Sequence, residues 1–309
     1  MLKIAVILPV GKPDYLANTV LDGLIELNIE FRATENYPTP FSITTLPESE
    51  FISYAQSADL IILCWGKGAT NHSLAGKIDK WDKTIFVDGS EVGKDRRLDK
   101  EIQQQLVDMT YEGTGAIDSV MLEKCKKYFR REKPYIKGIL PFPFGIERRY
   151  RHCKPEIKKD LDIVCIFGQE DYPKMRKEVR LIIEQSGLRS VTKKTSGFNF
   201  DDSTKTAGRN EFYDLLARAK VGVSVGGGGY DTARFWEILG NDCNLLTENI
   251  DIEIPGGLEY KRIYQFKDIN EFKEKINHSF PIPDTNEYND IIKKHSTKAR
   301  VQYLLNQSL

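Results

Sequence analysis

The chain has 309 residues, and its 45 lysines and arginines balance 45 aspartates and glutamates, so the formal net charge is zero. A neutral protein has no global field that would steer it towards nucleic acid or an anionic membrane surface. The length is sufficient for two domains of about 100 to 150 residues, each with its own core.

The N-terminal segment and the cysteines bear on the cellular compartment. The apolar run near the N-terminus is too short to span a membrane and has no cleavage site for a signal peptide. The five cysteines show no CxxC spacing, and three of them lie in apolar runs. We therefore expect reduced core thiols, no membrane span and a cytoplasmic location.

Strands and helices are predicted to alternate in the first half of the chain. Residues 2–10 form a continuous apolar run, which is typical of a buried parallel strand. Residues 15–27 carry apolar side chains at helical spacing, and further strands are predicted at 29–33, 60–65 and 84–87. This alternation predicts a doubly wound α/β domain.

In such sheets, ligands bind beyond the carboxyl ends of the strands. Gly11, Gly66-Lys67-Gly68 and Asp88 all follow predicted strands directly. These positions are therefore candidates for contacts with a ligand.

The second half of the chain repeats the alternation after a crossover. A basic amphipathic stretch at 125–131 is followed by a proline-punctuated apolar segment at 139–145, which is typical of a domain boundary. We predict an N-terminal domain over 1–145 and a C-terminal domain over 146–286, with a helix at about 287–309 packing back on the first domain. The elements predicted after the boundary are a strand at 162–167, helices at 176–185 and 208–219, a strand at 261–266, and helices at 269–276 and 287–305.

The segment from Lys220 to Glu248 predicts an anion-binding site. A buried strand at 221–225 leads into four glycines, Gly226 to Gly229, and then into a helix that Asp231 or Thr232 can cap. Glycine loops allow left-handed backbone angles and a close approach to a ligand. The first N–H groups of the following helix carry about half a positive charge.

Arg234 and Glu237 lie three residues apart, so both project from one face of this helix. A guanidinium there suits a phosphate group, and a carboxylate one turn later suits the two hydroxyls of a ribose. The same spacing also suits an ion pair on a solvated helix face. Four consecutive glycines favour the binding interpretation, because they cost conformational entropy that an ordinary connection would avoid. Asp231 would bring a negative charge near a phosphate unless it points away, caps the helix or contacts the sugar.

Several common site motifs are absent or incomplete. The Gly226-x-Gly228 spacing places Asp231 where a dinucleotide-binding fingerprint needs its third glycine, which weakens a dehydrogenase interpretation. There is no GxxxxGK[ST] phosphate loop and no GxSxG nucleophile elbow. The four histidines have no zinc-binding spacing, so no metal is expected. Asp201-Asp202 lies in a polar stretch and is interpreted as a solvated loop.

Asp88 is the candidate general base. It ends a predicted strand and could face a cleft between the two domains, where it could take a proton from an attacking hydroxyl. An aspartate before glycine is also a common turn former. Arg176 and Arg180 follow the turn at Gly168 and could bind a leaving diphosphate, although taken by themselves a solvated helix face is the favoured interpretation.

These segments resemble a known family. GRNEFYDLLARAKVGVSV together with YDTARFWEILGNDCNLLTE resembles the nucleotide-sugar half of GT-B glycosyltransferases of the group 1 type, closest to the spore-maturation glycosyltransferase-like proteins. DYLANTVLDGLIELNIEF, KYFRREKP, ILPFPFGIE and HSTKARVQYLL agree with the same family. A weaker likeness runs to phage DNA base glucosyltransferases.

The resemblance implies an α/β chain of the GT-B type, with two Rossmann-like doubly wound domains facing across a cleft. It assigns Glu237 to the donor ribose, Arg234 and the glycine loop to the diphosphate, and Asp88 to the general base of an inverting reaction. Many retaining members carry a second glutamate eight positions before the first, and that position is Gly229 here, which favours inversion. The residues expected to bind the donor are Gly11, Gly168, Arg176, Gly226, Gly227, Gly228, Gly229, Tyr230, Asp231, Thr232, Arg234 and Glu237.

The expected activity is transfer of a sugar from a nucleoside diphosphate sugar to an acceptor hydroxyl, without a cofactor or metal. A UDP-sugar is favoured over a GDP-sugar. The acceptor is left open among a glycan, a small molecule, a protein and, with least support, a DNA base. Two alternatives remain, which are a non-catalytic GT-B-like nucleotide-binding protein and a sugar-nucleotide epimerase.

Overall fold

The computed structural model describes residues 2–11, 13–65, 72–93, 97–192 and 206–309. The chain divides into two compact units. Unit 1 consists of Met1–Gly145, Ile252–Pro255 and Thr297–Leu309, and unit 2 consists of Ile146–Asp251 and Gly256–Ser296.

The strands of the described chain are short and distributed over both units. In chain order they are β1 (Ile4–Ile7), β2 (Phe31–Thr34), β3 (Thr45–Leu46), β4 (Leu60–Trp65), β5 (Thr84–Asp88), β6 (Lys127–Arg130), β7 (Ile139–Pro141), β8 (Leu161–Val164), β9 (Ser190–Val191), β10 (Ala219–Ser224), β11 (Asn244–Glu248) and β12 (Ile263–Phe266).

The helices lie between these strands and after the last of them. They are α1 (Tyr15–Glu26), α2 (Glu48–Gln56), α3 (His72–Ile78), α4 (Lys100–Val107), α5 (Ser119–Lys124), α6 (Met175–Gln185), α7 (Thr206–Arg218), α8 (Ala233–Leu239), α9 (Ile269–Ile276), α10 (Thr285–His295) and α11 (Thr297–Ser308).

Unit 1 is built on a seven-stranded sheet in the order β3-β2-β1-β4-β5-β6-β7, and every pairing in it is parallel. The four residues of β1 are fully buried, as expected for a strand with helices on both faces of the sheet. All strands of a parallel sheet end at the same edge, so the residues that follow β1 and β5 lie at one edge of unit 1.

The first and last helices of unit 1 pack closely on each other. A side chain at Gly23 would place its Cβ only 2.4 Å from the carbonyl oxygen of Thr297, so this contact requires glycine. The Thr297 hydroxyl donates a 2.7 Å hydrogen bond to Asp22 Oδ2 across the same contact. Unit 1 is therefore assembled from the two ends of the chain.

Unit 2 is built on a five-stranded sheet in the order β12-β11-β10-β8-β9, again with parallel pairing throughout. Val221 in the central strand β10 pairs with Ile163 of β8 on one side and with Asn244 of β11 on the other. The predicted alternation of strands and helices around parallel sheets is confirmed in both units.

Two elements differ from the sequence prediction. The helix predicted at 287–305 is two helices, because Ser296 adopts an extended conformation (φ −61°, ψ 159°) and forms an isolated parallel bridge with Ile146. The basic stretch at 125–131 contains the buried strand β6, in which Arg130 is 0% exposed. Tertiary pairing overrides the local sequence pattern at both places.

Candidate functional site

The candidate site lies at the carboxyl edge of the unit 2 sheet, where β8, β10 and β11 end. The buried segment Val225–Gly229 follows β10, and its backbone is held from two directions. Gly226 N donates a 2.9 Å hydrogen bond to Glu248 Oε2 at the end of β11, and Gly227 N donates to the carbonyl of Gly229 at 2.9 Å. The loop therefore has a defined shape.

Gly227 leaves room for a neighbouring side chain. A Cβ there would lie 3.0 Å from Arg176 Nη2. The expectation that the glycine run adopts left-handed angles is wrong, because the positive-φ glycines of the described chain all lie outside Gly226–Gly229. Gly227 instead permits the close approach of the Arg176 guanidinium.

Arg176 is oriented by backbone carbonyls on both sides of this loop. It donates from Nε to Gly226 at 3.1 Å, from Nη2 to Val225 at 3.2 Å and from Nη1 to Gln169 at 3.2 Å. Carbonyl oxygens carry no net charge, so these bonds orient the guanidinium without neutralising it. An oriented guanidinium is a typical ligand for phosphate oxygens.

Arg234 and Glu237 contact each other in this structure. Arg234 Nη1 lies 2.9 Å from Glu237 Oε2, and the two side chains are 10% and 2% exposed. The Arg234 guanidinium also stacks over the Phe212 ring, with Cζ 3.8 Å from its centroid. The structure therefore contains the ion pair that the sequence spacing also allowed. This pair is nearly buried and does not lie on a solvated helix face.

The second oxygen of Glu237 has its own partners on α7. Tyr213 donates a hydrogen bond to Oε1 at 3.3 Å, and Arg209 Nη1 lies 3.8 Å from the same atom. Burial, followed by the nearby Glu237 carboxylate, raises the pKa of Tyr213 well above its ordinary value. The Tyr213 hydroxyl therefore keeps its proton and acts as a donor.

Asp231 points away from the loop. Its Oδ1 accepts a 2.8 Å hydrogen bond from the indole nitrogen of Trp236. Thr232 is the residue before α8, but its side chain makes no capping bond and its Oγ1 lies 3.2 Å from Ser224 Oγ. Thr232 is the N-cap residue of α8, as expected, but it caps through its backbone conformation only. Tyr230 is half-buried.

A cavity of about 400 Å³ opens next to Gly168, beyond the ends of β8 and β9. Its polar wall includes Arg180, which is bonded to Glu170 at 2.8 Å and to Glu184 at 2.9 Å. The cavity is lined by Ile166, Phe167, Gly168, Gln169, Glu170, Arg180 and Thr192.

Charged side chains of both signs lie around the end of β8. Burial raises the pKa of the Cys165 thiol; the charges of Arg234, Arg180 and Arg176 act against that rise, and the charge of Glu170 adds to it. Glutamates pair with two of these arginines, Arg180 and Arg234. The edge of the sheet therefore brings arginines of α6 and α8 together with carboxylates.

Asp88 lies in unit 1 and is fully buried. Its Oδ2 accepts hydrogen bonds from Arg130 Nη1 and from the Tyr128 hydroxyl, both at 2.7 Å, and its Oδ1 accepts from Ser90 N at 2.8 Å. A carboxylate enclosed in this way has no contact with solvent through which an acceptor hydroxyl could reach it. The structure places Asp88 in a buried ion pair with Arg130, and its role as general base stays a prediction.

The remaining predicted positions divide between the units. Gly11, with φ at 73°, lies in unit 1 after β1, and its N–H donates to Asn36 at 2.8 Å. Gly66-Lys67-Gly68 and Asp201-Asp202 lie outside the described residues.

Sequence reasoning missed the contribution of α7. Arg209, Phe212 and Tyr213 contact Arg234 or Glu237, although the contacting residues lie more than 20 positions apart in the chain. The sequence signal for these contacts is the pair of adjacent aromatic residues, Phe212 and Tyr213, in the helix before the glycine loop. Core packing explains such a pair equally well. Glu248 was missed in the same way.

The described residues contain no group of three metal-binding side chains that could hold an ion. The five cysteines are all free, and four of them are buried. Within the described ranges, no helix has the length and apolar character needed to cross a bilayer.

No family model matches the chain, and no curated protein matches it in sequence. Solved structures match it along nearly its whole length. A glycosyltransferase from Rickettsia africae ESF-5 aligns over 99% of this chain and 97% of its own, with a TM-score of 0.60 and 10% identity. Anabaena HepE, in complex with UDP and glucose, aligns over 99% of both chains, with a TM-score of 0.59 and 8% identity.

An α-glucosyltransferase in complex with UDP aligns over 100% of both chains, with a TM-score of 0.57 and 8% identity. At such low identities the likeness establishes the fold. The predicted GT-B fold, with two parallel sheets in one α/β chain, is confirmed. The likeness to phage DNA base glucosyltransferases stays a prediction.

Proposed function

We propose that this protein is a glycosyltransferase that moves a sugar from a nucleoside diphosphate sugar to an acceptor hydroxyl. The observation that carries the proposal is the Arg176 guanidinium at the glycine loop that ends β10, where it donates to the carbonyls of Gly226 and Val225. Structures of the same fold with UDP bound, matched over their full length, support it.

In this proposal, each side chain of the unit 2 edge has a defined role. Arg176 and Arg234 bind the diphosphate and stabilise the charge that develops on it as the sugar leaves, since oriented donors need no reorganisation at that step. Glu237 accepts hydrogen bonds from the two ribose hydroxyls. The cavity beside Gly168 is the proposed site of the nucleoside base.

Donor binding then requires an exchange of partners. The Arg234–Glu237 pair, 2.9 Å apart, separates so that Arg234 faces phosphate and Glu237 faces ribose. Arg234 has an anionic partner both before and after the donor binds, and Glu237 exchanges a cation for the hydroxyls of the ribose. These replacements limit the cost of moving buried charges. The proposed donor is a UDP-sugar in preference to a GDP-sugar, as in the UDP complexes of the same fold.

The proposed stereochemical outcome is inversion, because Gly229 occupies the position of the second glutamate in retaining enzymes. Inversion needs a base that accepts the proton of the attacking hydroxyl. Asp88 serves as this base only in a conformation that opens its bonds to Arg130 and Tyr128. Its enclosure favours a second candidate function, binding of a sugar nucleotide without transfer.

The test is an assay with purified protein. UDP-glucose, other UDP-sugars and GDP-sugars are incubated with the protein, and the release of the nucleoside diphosphate is measured with and without simple sugar acceptors. Binding of UDP and GDP is measured by calorimetry alongside. Release of UDP supports the transferase, tight binding without release supports the binding protein, and absence of binding to any nucleoside diphosphate overturns both.

A further inference from the structure

Two consecutive aromatic residues of α7 contact the two polar side chains of α8. The Phe212 ring centroid lies 3.8 Å from Arg234 Cζ, and the Tyr213 hydroxyl donates to Glu237 Oε1 at 3.3 Å. Both aromatic side chains are 1% exposed. Each contact is directional, since a cation is attracted to the ring face and a hydroxyl donates along one axis.

Tyr213 and Arg234 contact different oxygens of the Glu237 carboxylate. Tyr213 donates a hydrogen bond to Oε1 of Glu237, whereas Arg234 forms an ion pair with Oε2. If Arg234 turns towards a phosphate, Tyr213 still holds the carboxylate through the other oxygen. Arg209, 3.8 Å from Oε1, supplies positive charge on that same side.

Tyr213 is itself held firmly. Its ring packs 5.4 Å from that of Tyr150 and 5.7 Å from that of Phe212, and burial keeps its hydroxyl protonated. Aromatic side chains have few rotamers and lose little entropy when they are fixed. A buried aromatic pair is therefore a rigid support for two long, flexible side chains.

We propose that Phe212 and Tyr213 are positioning residues, which hold Arg234 and Glu237 in the geometry that donor binding uses. Each acts through one partner only, Phe212 through the guanidinium and Tyr213 through the carboxylate. The inference rests on the proposed function, because the donor contacts of Arg234 and Glu237 belong to it.

The test is a double-mutant cycle with UDP as the probe, measured by calorimetry. Tyr213→Phe removes only the hydroxyl and is expected to raise the Kd for UDP about tenfold, the effect of losing a hydrogen bond to a charged group. In the Glu237→Gln background, the same change is expected to alter the Kd by less than about twofold, because its target is gone. An unchanged Kd in Tyr213→Phe, or an equal loss in both backgrounds, overturns the proposal.

A second cycle tests Phe212. Phe212→Leu is expected to raise the Kd for UDP about threefold, as estimated for loss of a cation–π contact. We expect the effect of Phe212→Leu on the Kd for UDP to disappear in the Arg234→Met background. An effect of the same size in the Arg234→Met background assigns Phe212 to general packing and overturns its part of the proposal.

Tyr150→Phe is the matched control. Tyr150 lies in the same aromatic cluster, and its hydroxyl donates a 2.5 Å hydrogen bond to Glu147 Oε1. We expect Tyr150→Phe to leave the Kd for UDP unchanged. A tenfold loss in this variant would mean that any disturbance of the cluster weakens binding, which contradicts a specific role for Tyr213. If the wild-type chain binds no nucleoside diphosphate, the proposed function falls; if it binds UDP and the cycle is additive, only this inference falls.

Discussion

Arg234 and Glu237 lie three residues apart on α8, and each is the nearest ionic partner of the other, at 2.9 Å. The sequence assigns them to two different parts of a ligand, the diphosphate and the ribose. A donor that binds as proposed must therefore separate a nearly buried ion pair. Part of its gross interaction energy is spent on that separation, so affinity for UDP depends on both groups together.

Arg176 is expected to recognise phosphate rather than the nucleoside. Arg176→Gln should raise the Kd for UDP about tenfold or more, because a charge-assisted bond is lost, while uridine binding changes by less than about twofold. Calorimetry with both ligands checks this. Arg189→Gln is the control, since Arg189 is an exposed partner of Asp162. Equal losses for UDP and uridine would contradict a phosphate contact.

Gly227→Ala is expected to displace the Arg176 guanidinium. The new Cβ would lie 3.0 Å from Arg176 Nη2, and the arginine end must move by a few tenths of an ångström. We expect weaker UDP binding with little change in Tm, because the neighbouring atom is the end of a flexible side chain. Gly76→Ala, where nothing lies within 4 Å of the new Cβ, should leave binding unaltered. Unchanged UDP affinity in Gly227→Ala would argue against this role of the glycine.

Asp88→Asn separates the structural role of this residue from a chemical one. Arg130 and Asp88 are both 0% exposed, and removal of one charge from such a pair costs about 3–5 kcal/mol of unfolding free energy. We expect that loss in urea unfolding, and UDP binding at unit 2 should persist in the folded fraction.

The double variant Asp88→Asn/Arg130→Gln should recover part of the lost stability, since no uncompensated charge remains. A variant of Asp88 with wild-type stability would contradict the buried pair. If Asp88→Asn remains folded and binds UDP but releases none from a UDP-sugar, Asp88 is the base after an opening of its ion pair.

The pH dependence of stability can be predicted at Asp162. Hydrogen bonds from Arg189 and then from Lys220 lower the pKa of this carboxyl below its ordinary value. A lowered pKa in the folded state stabilises the fold above the unfolded pKa of about 3.9, and this contribution is lost as the pH falls through the folded value.

Arg189→Gln removes the largest cause of that shift. The stability difference between wild type and variant should be constant near neutral pH and shrink as the pH falls below about 4. Urea unfolding at a series of pH values measures it, with Lys158→Gln as a control at an exposed lysine. A difference that grows on acidification would contradict the assignment.

Much of the fold follows from the sequence, because apolar runs such as β1 and helical spacing such as that of α1 are local signals. The glycine loop and the i,i+3 spacing of Arg234 and Glu237 also predict their proximity. The enclosure of Asp88 depends on Tyr128 and Arg130, which lie 40 and 42 residues later. Nothing local distinguishes such a buried aspartate from a turn-forming one.

The end of α10 shows the same limit. Neither glycine nor proline interrupts the pattern near Ser296, and the break exists because that residue pairs with Ile146. The contacts of Phe212 and Tyr213 with Arg234 and Glu237 also cannot be predicted from the sequence, since they depend on how α7 and α8 lie against one sheet. Contacts between distant segments decide which polar residues are exposed.

The packing of α11 on α1 has a consequence for synthesis on the ribosome. Thr297, which contacts Gly23 and Asp22 of α1, is translated after Ser296, where the segments of unit 2 end. All residues of unit 2 are therefore available before α11 can cover α1. A chain released before residue 297 would expose this face of α1 to aggregation.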